Sequence, residues 1–291
     1  MPYSRHDAFI APAQKHPELW RFAVGLVVLF AVYLGAFLAF GWLLQQAIGD
    51  GPAMRMLAGM GESDPWSVLF FLATFVGMVI AAFAAAMVHK RGPGTLFGPM
   101  PLVISDFLQA GGLAIVVFLI ASPIILVFVP TGPNMGVGTW LVFLPLALPL
   151  ILLQTGAEEL AFRGYLQQQL AARFARPAVW LVLPAAIFAA GHIDPNTQGN
   201  NWWAIAAITG LFGVIAADIT ARSGSIGAAW GLHFVNNVQA ILLFSLPGPL
   251  DGLALRSVPL AQDSATLLPL LFVDALALVF IWLAWRRLRR D

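Results

Sequence analysis

The stretch WLVFLPLALPLILLQTGAEELAFRGYLQQQLAA, Trp140 to Ala172, sets Glu158, Glu159 and Arg163 in the middle of an apolar run. On an insertion scale each ionisable residue at a helix centre costs about 3 kcal/mol, so the trio costs about 9, while about twenty apolar neighbours return roughly 6 to 12. The segment is borderline in lipid by itself. It becomes tolerable where the charges face other helices or a wet cavity and find partners there, which makes the cluster a candidate functional site. Spacing separates the two acids. Glu159 and Arg163 stand one helical turn apart on one face and can pair, whereas Glu158 points about 100° away and reads as the free carboxylate. Pro145 and Pro149 are expected to bend this helix above Glu158, freeing backbone carbonyls that neighbours or water must satisfy.

Working outward, the 291-residue chain is 60% hydrophobic and 10% charged. Apolar stretches of about twenty residues recur along it, the pattern of a polytopic membrane protein. The expected fold is all-α: a transmembrane bundle of about eight helices, near 22–44, 66–88, 107–129, 140–172, 178–192, 203–220, 226–244 and 267–285. Residues 1–21 read as a polar cytoplasmic tail, and 22–291 as a single transmembrane domain with its motif core at about 140–244. With the N-terminus inside, Arg5, Lys15, Arg21, Lys90, Arg91, Arg173, Arg176, Arg222 and the arginines at 286, 287, 289 and 290 are cytoplasmic, leaving Arg55 and Arg256 outside. That asymmetry predicts both termini in the cytoplasm. The basic residues form short clusters between apolar runs, and the net charge is +1, which argues against a nucleic-acid partner. The sequence has no cysteine, excluding disulfides, thiolate zinc sites and a cysteine nucleophile. No cleavable signal is evident, the first apolar run being too long for one.

Two histidines, His192 and His233, fall within expected helices, where each needs a reason. Glu158 and His192 are equally far in sequence from Ala175, at the centre of the loop joining their helices, so they should share a depth. His233 begins about three turns beyond Arg222, and Asn237 follows one turn later on the same face, as its partner. Phe188 reads as packing, Asp274 as a structural hydrogen bond between helices, and Gly227 with Gly231 as a small-xxx-small contact. A free carboxylate, two imidazoles and an amide in a partly dry cavity can hydrolyse an amide. The carboxylate with one histidine deprotonates water, and the second histidine and the amide donate to the oxyanion. G-x-S-x-G and H-E-x-x-H signatures are absent. Glu158, His192 and His233 also match a two-histidine, one-carboxylate zinc set. The metal-free reading is preferred because His233 comes with an amide donor one turn away and Glu159 is committed to Arg163.

Glu158-Glu159-x-x-x-Arg163, Phe188-x-x-x-His192 and His233-x-x-x-Asn237 resemble, in order and spacing, the three motifs of the CPBP (Abi) family, which includes type II CAAX prenyl endopeptidases. The resemblance spans Trp140 to Phe244 with no departure at a motif residue. It implies an eight-helix intramembrane endopeptidase with a cavity opening to the cytoplasm. Glu158 would be the catalytic glutamate, His192 its partner, His233 and Asn237 the oxyanion donors, and Glu159 and Arg163 supporting residues. The implied partners are the lipid bilayer and a peptide or protein substrate, lipidated or membrane-anchored chains included; the implied location is the plasma membrane of a prokaryote. Immunity or anchoring roles are a non-proteolytic alternative within the family. A transporter built on the same buried cluster is the alternative from another class, with Asp218 and Asp274 as its spare acids.

Overall fold

The computed structural model describes residues 3–58, 64–248, 250–258 and 264–289. Its first element departs from expectation. Where a polar tail is expected, α1 (Ser4–Gln14) packs Phe9, Ile10 and Ala13 against the bundle. The Tyr3 hydroxyl donates to Asp218 at 2.7 Å, and the His6 ring lies 4.5 Å from that of Trp180. This helix is too short and polar to insert, yet its three apolar residues share one face, which suffices for docking.

Next come α2 (Leu19–Ile48) and α3 (Asp50–Ala58), the latter lying where a loop is expected. Residues 59–63 of that loop, and Arg290 of the terminal basic run, lie outside the described residues. α4 (Pro65–Ala73) and α5 (Val76–Val88) make one span, opened by Asp64, which accepts from the Ser67 amide at 2.7 Å, an N-cap. α6 (Met100–Phe128) leads through β1 (Gly132–Pro133) to α7 (Val137–Glu159), a π-helical segment Leu160–Gln167 and α8 (Gln168–Ala171). Then follow α9 (Pro177–Ala190), α10 (Pro195–Gln198), α11 (Trp202–Ser223) and α12 (Gly227–Val238), which runs on as a π-turn Gln239–Leu243. β2 (Phe244–Ser245), β3 (Arg256–Ser257) and α13 (Ser264–Leu288) complete the described chain. β3 pairs antiparallel with β1 and parallel with β2, tying together the loops that leave α6 and the α12 π-turn.

The protein is an all-α multi-pass bundle. Among the described residues six helices are long and apolar enough to cross a membrane: Leu19–Ile48, Pro65–Val88, Pro93–Phe128, Val137–Ala171, Gly199–Ser223 and Ala265–Leu288. The other two expected spans are short. α9 has 14 residues, and the 12 of α12 run on through the 5 of its π-turn to make 17, at or below the short end of what a bilayer needs; α9 leads to His192 and α12 carries His233. Only 6% of the most apolar window of α2 is buried, against 61% for the Gly199–Ser223 span; α2 therefore faces lipid while α11 is central.

α12 is wedged against α6. A Cβ on Gly227 or Gly231 would overlap the backbone carbonyls of Val103 and Phe107, so the small-xxx-small pattern is what lets the two backbones meet. Pro145 and Pro149 sit inside one continuous α7. The irregular turn comes after the acids, in the π-segment, where Arg163 and Gln167 donate to the α11 carbonyls of Gly213 (3.3 Å) and Ala217 (2.9 Å). Asp218 is bound up structurally, by Tyr3, by Arg222 Nε (2.8 Å) and by Trp282 Nε1 (2.8 Å). Asp274 lacks the interhelical hydrogen bond expected of it: no hydrogen bond or ion pair reaches it among the described residues. It shares a helix face with the buried Leu270, Leu278 and Ile281, where no donor is supplied.

Candidate active site

Glu159, Arg163 and Gln167 fall one turn apart along α7 and its π-segment as one buried stripe, and Gln154 and Glu158 form a second. Glu159 is fully buried and Arg163 is 1% exposed. Arg163 Nη1 donates to Glu159 Oε1 at 3.0 Å, the pair expected from their spacing. A π-segment at this point shifts the phase of the helix, as such segments often do beside functional groups. It ends against the turn Pro93–Leu96, where Gly164 leaves room for the Leu96 backbone, 2.7 Å from any added Cβ.

His233 joins the two acids. Its Nδ1 is 2.8 Å from Glu159 Oε1 and its Nε2 is 3.4 Å from Glu158 Oε2. Glu159 is already paired with a cation and can only accept, so Nδ1 carries a proton and donates. Nε2 then faces Glu158, and one proton is left for the two of them: either the imidazole is charged and Glu158 ionised, or both are neutral. In both cases Arg163, Glu159, His233 and Glu158 sum to zero charge, the condition for holding such a group among apolar helices. Glu158 is thus not isolated, which corrects its reading as the carboxylate without a counter-charge. Tyr33 of α2 also lies within electrostatic reach of it.

Aromatic rings wall the array. Phe212 lies 4.7 Å and Phe188 5.9 Å from the His233 ring, centroid to centroid, and the Arg163 guanidinium lies over both at 5.6 and 5.2 Å. Phe188 is therefore packing, as expected, but packing that shapes the site. His192 stands in the turn two residues beyond α9, exposed, with its ring 4.4 Å from Phe188. Its Nδ1–H donates to the Phe188 carbonyl at 2.7 Å, which leaves Nε2 as the nitrogen that can face a substrate or water. No hydrogen bond or ion pair joins it to Glu158. Asn237 is not the partner of His233: its Nδ2 donates to Gln154 Oε1 at 2.9 Å, while its own Oδ1 accepts from Asn236 at 3.4 Å.

Gln154 is the residue that sequence reasoning missed. It is 5% exposed and precedes Glu158 by one turn, so its position was visible as an amide on the glutamate's face. Trp230 was missed too; it donates from Nε1 to the Leu152 carbonyl at 3.1 Å and covers Gly156, where a Cβ would meet the indole at 2.8 Å. That contact seats α12 on α7 and so places His233 beside the acids. The zinc set of Glu158, His192 and His233 is not assembled. Among the described residues no three His, Asp or Glu side chains are grouped to hold a metal ion, and the Phe188 ring packs against both histidines.

Residues 139–239 match the family model of type II CAAX prenyl endopeptidase Rce1-like domains. The uncharacterized protein YyaK of Bacillus subtilis (strain 168) is 26% identical over 242 residues, 80% of this chain and 80% of its own length. No solved structure matches. Glu158, Glu159, Arg163, His192, His233 and Asn237 all fall within the segment that is similar to the Rce1-like, type II CAAX prenyl endopeptidase family.

Proposed function

We propose that the chain is an intramembrane endopeptidase that hydrolyses a peptide bond with water activated by Glu158. The observation that carries the reading is the electroneutral array of Glu158, His233, Glu159 and Arg163, buried beside the amide pair Gln154 and Asn237. The form of the array that reacts is the one with Glu158 as the carboxylate and His233 as the imidazolium held by Glu159. Glu158 takes a proton from a water molecule as the water oxygen attacks the scissile carbonyl, and His192 Nε2 is proposed to help orient that water. The oxyanion that forms receives His233 Nε2–H and the second Asn237 N–H, donors whose strength rises where water is excluded. As the C–N bond breaks, Glu158 passes its proton to the leaving amine, which restores the array. No step needs a metal. Protein purified in strong chelator should keep full activity at negligible metal content, measured by elemental analysis of the same sample; loss of activity restored by stoichiometric zinc would reject this.

The proposed substrate is a lipidated chain ending in a CAAX sequence, after the name of the matching family model, and the proposed location is the membrane of a prokaryotic cell, after the Bacillus relative. Detergent-purified protein should cleave a fluorogenic peptide carrying a prenylated CAAX end faster than its unprenylated twin. Absence of cleavage of either peptide and of a broad peptide library would refute the peptidase reading. Asp218 is occupied by three structural partners, which leaves Asp274 as the spare acid for a transporter.

The proposed orientation has its own test, made clean by the absence of native cysteine. Single cysteines at the exposed positions Gly92 and Ala175 should resist an impermeant thiol reagent in intact cells, while cysteine at the exposed Gly136 should react. The reverse pattern would invert the topology.

A further inference from the structure

Where α1 docks, three guanidinium groups gather around two buried rings. His89 and Tyr165 are both fully buried, with His89 Nε2 3.1 Å from the Tyr165 hydroxyl and Nδ1 3.3 Å from the His16 carbonyl. Arg21 Nη1 donates to the Val88 carbonyl at 2.6 Å. Arg173 donates from Nη1 to the Gln169 carbonyl and side chain (2.6 and 2.7 Å) and from Nη2 to the Glu18 carbonyl (3.1 Å). Arg91, 5% exposed, donates from Nε to Thr95 Oγ1 at 3.2 Å and from Nη2 to the Thr95 carbonyl and to Gln168.

These partners are neutral, and they do not use all the donors. Arg91 Nη1 and Arg173 Nε are buried without a hydrogen-bond partner. The carboxylate at hand is that of Glu18, 43% exposed and paired at 3.2 Å with Arg21. Burial lowers the Arg91 guanidinium to about 10, and the neighbouring Arg173 charge acts in the same direction. Burial likewise pushes His89 down to about 4, with Arg173, Arg91 and Arg21 adding to it, so the imidazole brings no charge. A cluster of this kind, three cations against one exposed acid with guanidinium N–H groups unfilled, lacks an anion.

Its surroundings indicate which anion. Leu19, Trp20 and Phe174 are exposed beside it, Arg21 lies over Trp20 at 4.5 Å and Arg173 over Phe22 at 5.1 Å. Arginine stems on aromatic rings at the end of spanning helices mark headgroup depth, and the guanidinium fork suits phosphate oxygens. We propose that Arg21, Arg91 and Arg173 form a binding site for a phosphate-bearing anion, the headgroup of an anionic phospholipid. The site is separate from the Glu158 array and does not depend on peptidase activity.

The test is binding to the full chain in zwitterionic nanodiscs, followed by thermal unfolding and native mass spectrometry, with phosphatidylglycerol, phosphatidylcholine and inorganic phosphate as separate probes. Phosphatidylglycerol should be retained and raise the unfolding temperature where phosphatidylcholine does not. Arg91→Gln and Arg173→Gln should each weaken its apparent affinity about fivefold or more, while Lys90→Gln, which removes an exposed cation of the same connection, should change it less than twofold. Should Arg91→Gln fail to fold, the partly exposed Arg173 carries the comparison, with loss of binding at high salt beside it. Equal stabilisation by inorganic phosphate, lost in the same variants, supports the anion site and assigns it to free phosphate. Phosphatidylcholine matching phosphatidylglycerol, or Arg173→Gln matching Lys90→Gln, overturns the site.

Discussion

Glu159→Gln is expected to destabilise the protein by about 3 to 5 kcal/mol, the range for removing one partner of a buried ion pair, whereas Glu158→Gln should leave it folded and inactive. Glu159 accepts from both Arg163 and His233 through one oxygen, at 3.0 and 2.8 Å. Neutralising it leaves a fully desolvated guanidinium without a counter-charge and removes the acceptor that fixes the imidazole tautomer. Glu158 is differently placed: its one close contact is His233 Nε2 at 3.4 Å, and the carboxylate oxygen there makes no hydrogen bond. An amide of the same shape keeps its packing and loses only the base. Thermal unfolding and peptide cleavage, measured on both variants, separate the two roles. Arg163→Met added to Glu159→Gln should recover part of the lost stability, since the orphaned charge is then gone. Equal stability and activity profiles for Glu158→Gln and Glu159→Gln would contradict the division.

Gly231→Ala should cost about 1 to 3 kcal/mol, as overpacking in a close-packed interior does, and should remove activity as well. The added methyl would overlap the Phe107 carbonyl oxygen and lie 3.0 Å from the Gly111 amide nitrogen, both rigid backbone atoms, so α12 must shift. His233 is carried on α12 two residues away, and a displacement of about 1 Å is enough to spoil a donor array. Gly112→Ala is the matched control. Nothing lies within 4 Å of its Cβ position, and alanine favours a helix over glycine by about 1 kcal/mol, so that variant should be neutral or slightly more stable. If Gly231→Ala proves as harmless as Gly112→Ala in thermal unfolding and cleavage, the contact between α12 and α6 does not position the site.

The bundle was legible because hydrophobic length and proline or basic stops mark lipid-exposed helices strongly: α2 and α13 fall within about four residues of their expected bounds, while α6 ends as expected but begins at Met100, ahead of the expected 107. α1 was not legible, since its three docking residues are too few to produce a periodic signal. α9 and α12 were legible in extent, α9 ending at the Gly191 to Pro195 breaker and α12 with its π-turn reaching Leu243; the π-turns themselves carry no local sequence signal. In the site, the spacing of Glu159 and Arg163 predicted their pair correctly, a relation internal to one helix. The bridge from His233 to both acids, and the diversion of Asn237 to Gln154, are relations between α12 and α7, and helical spacing cannot fix the rotation of one helix against another.

The central claim is that Glu158 drives water onto a peptide carbonyl. Cleavage of the prenylated peptide in oxygen-18 water, with products weighed by mass spectrometry for wild type and Glu158→Gln side by side, tests it most directly. The account predicts one heavy oxygen in the new carboxyl group of the wild-type product and no product above background from folded Glu158→Gln. Cleavage by Glu158→Gln at the wild-type rate, or a wild-type product without heavy oxygen, would contradict it.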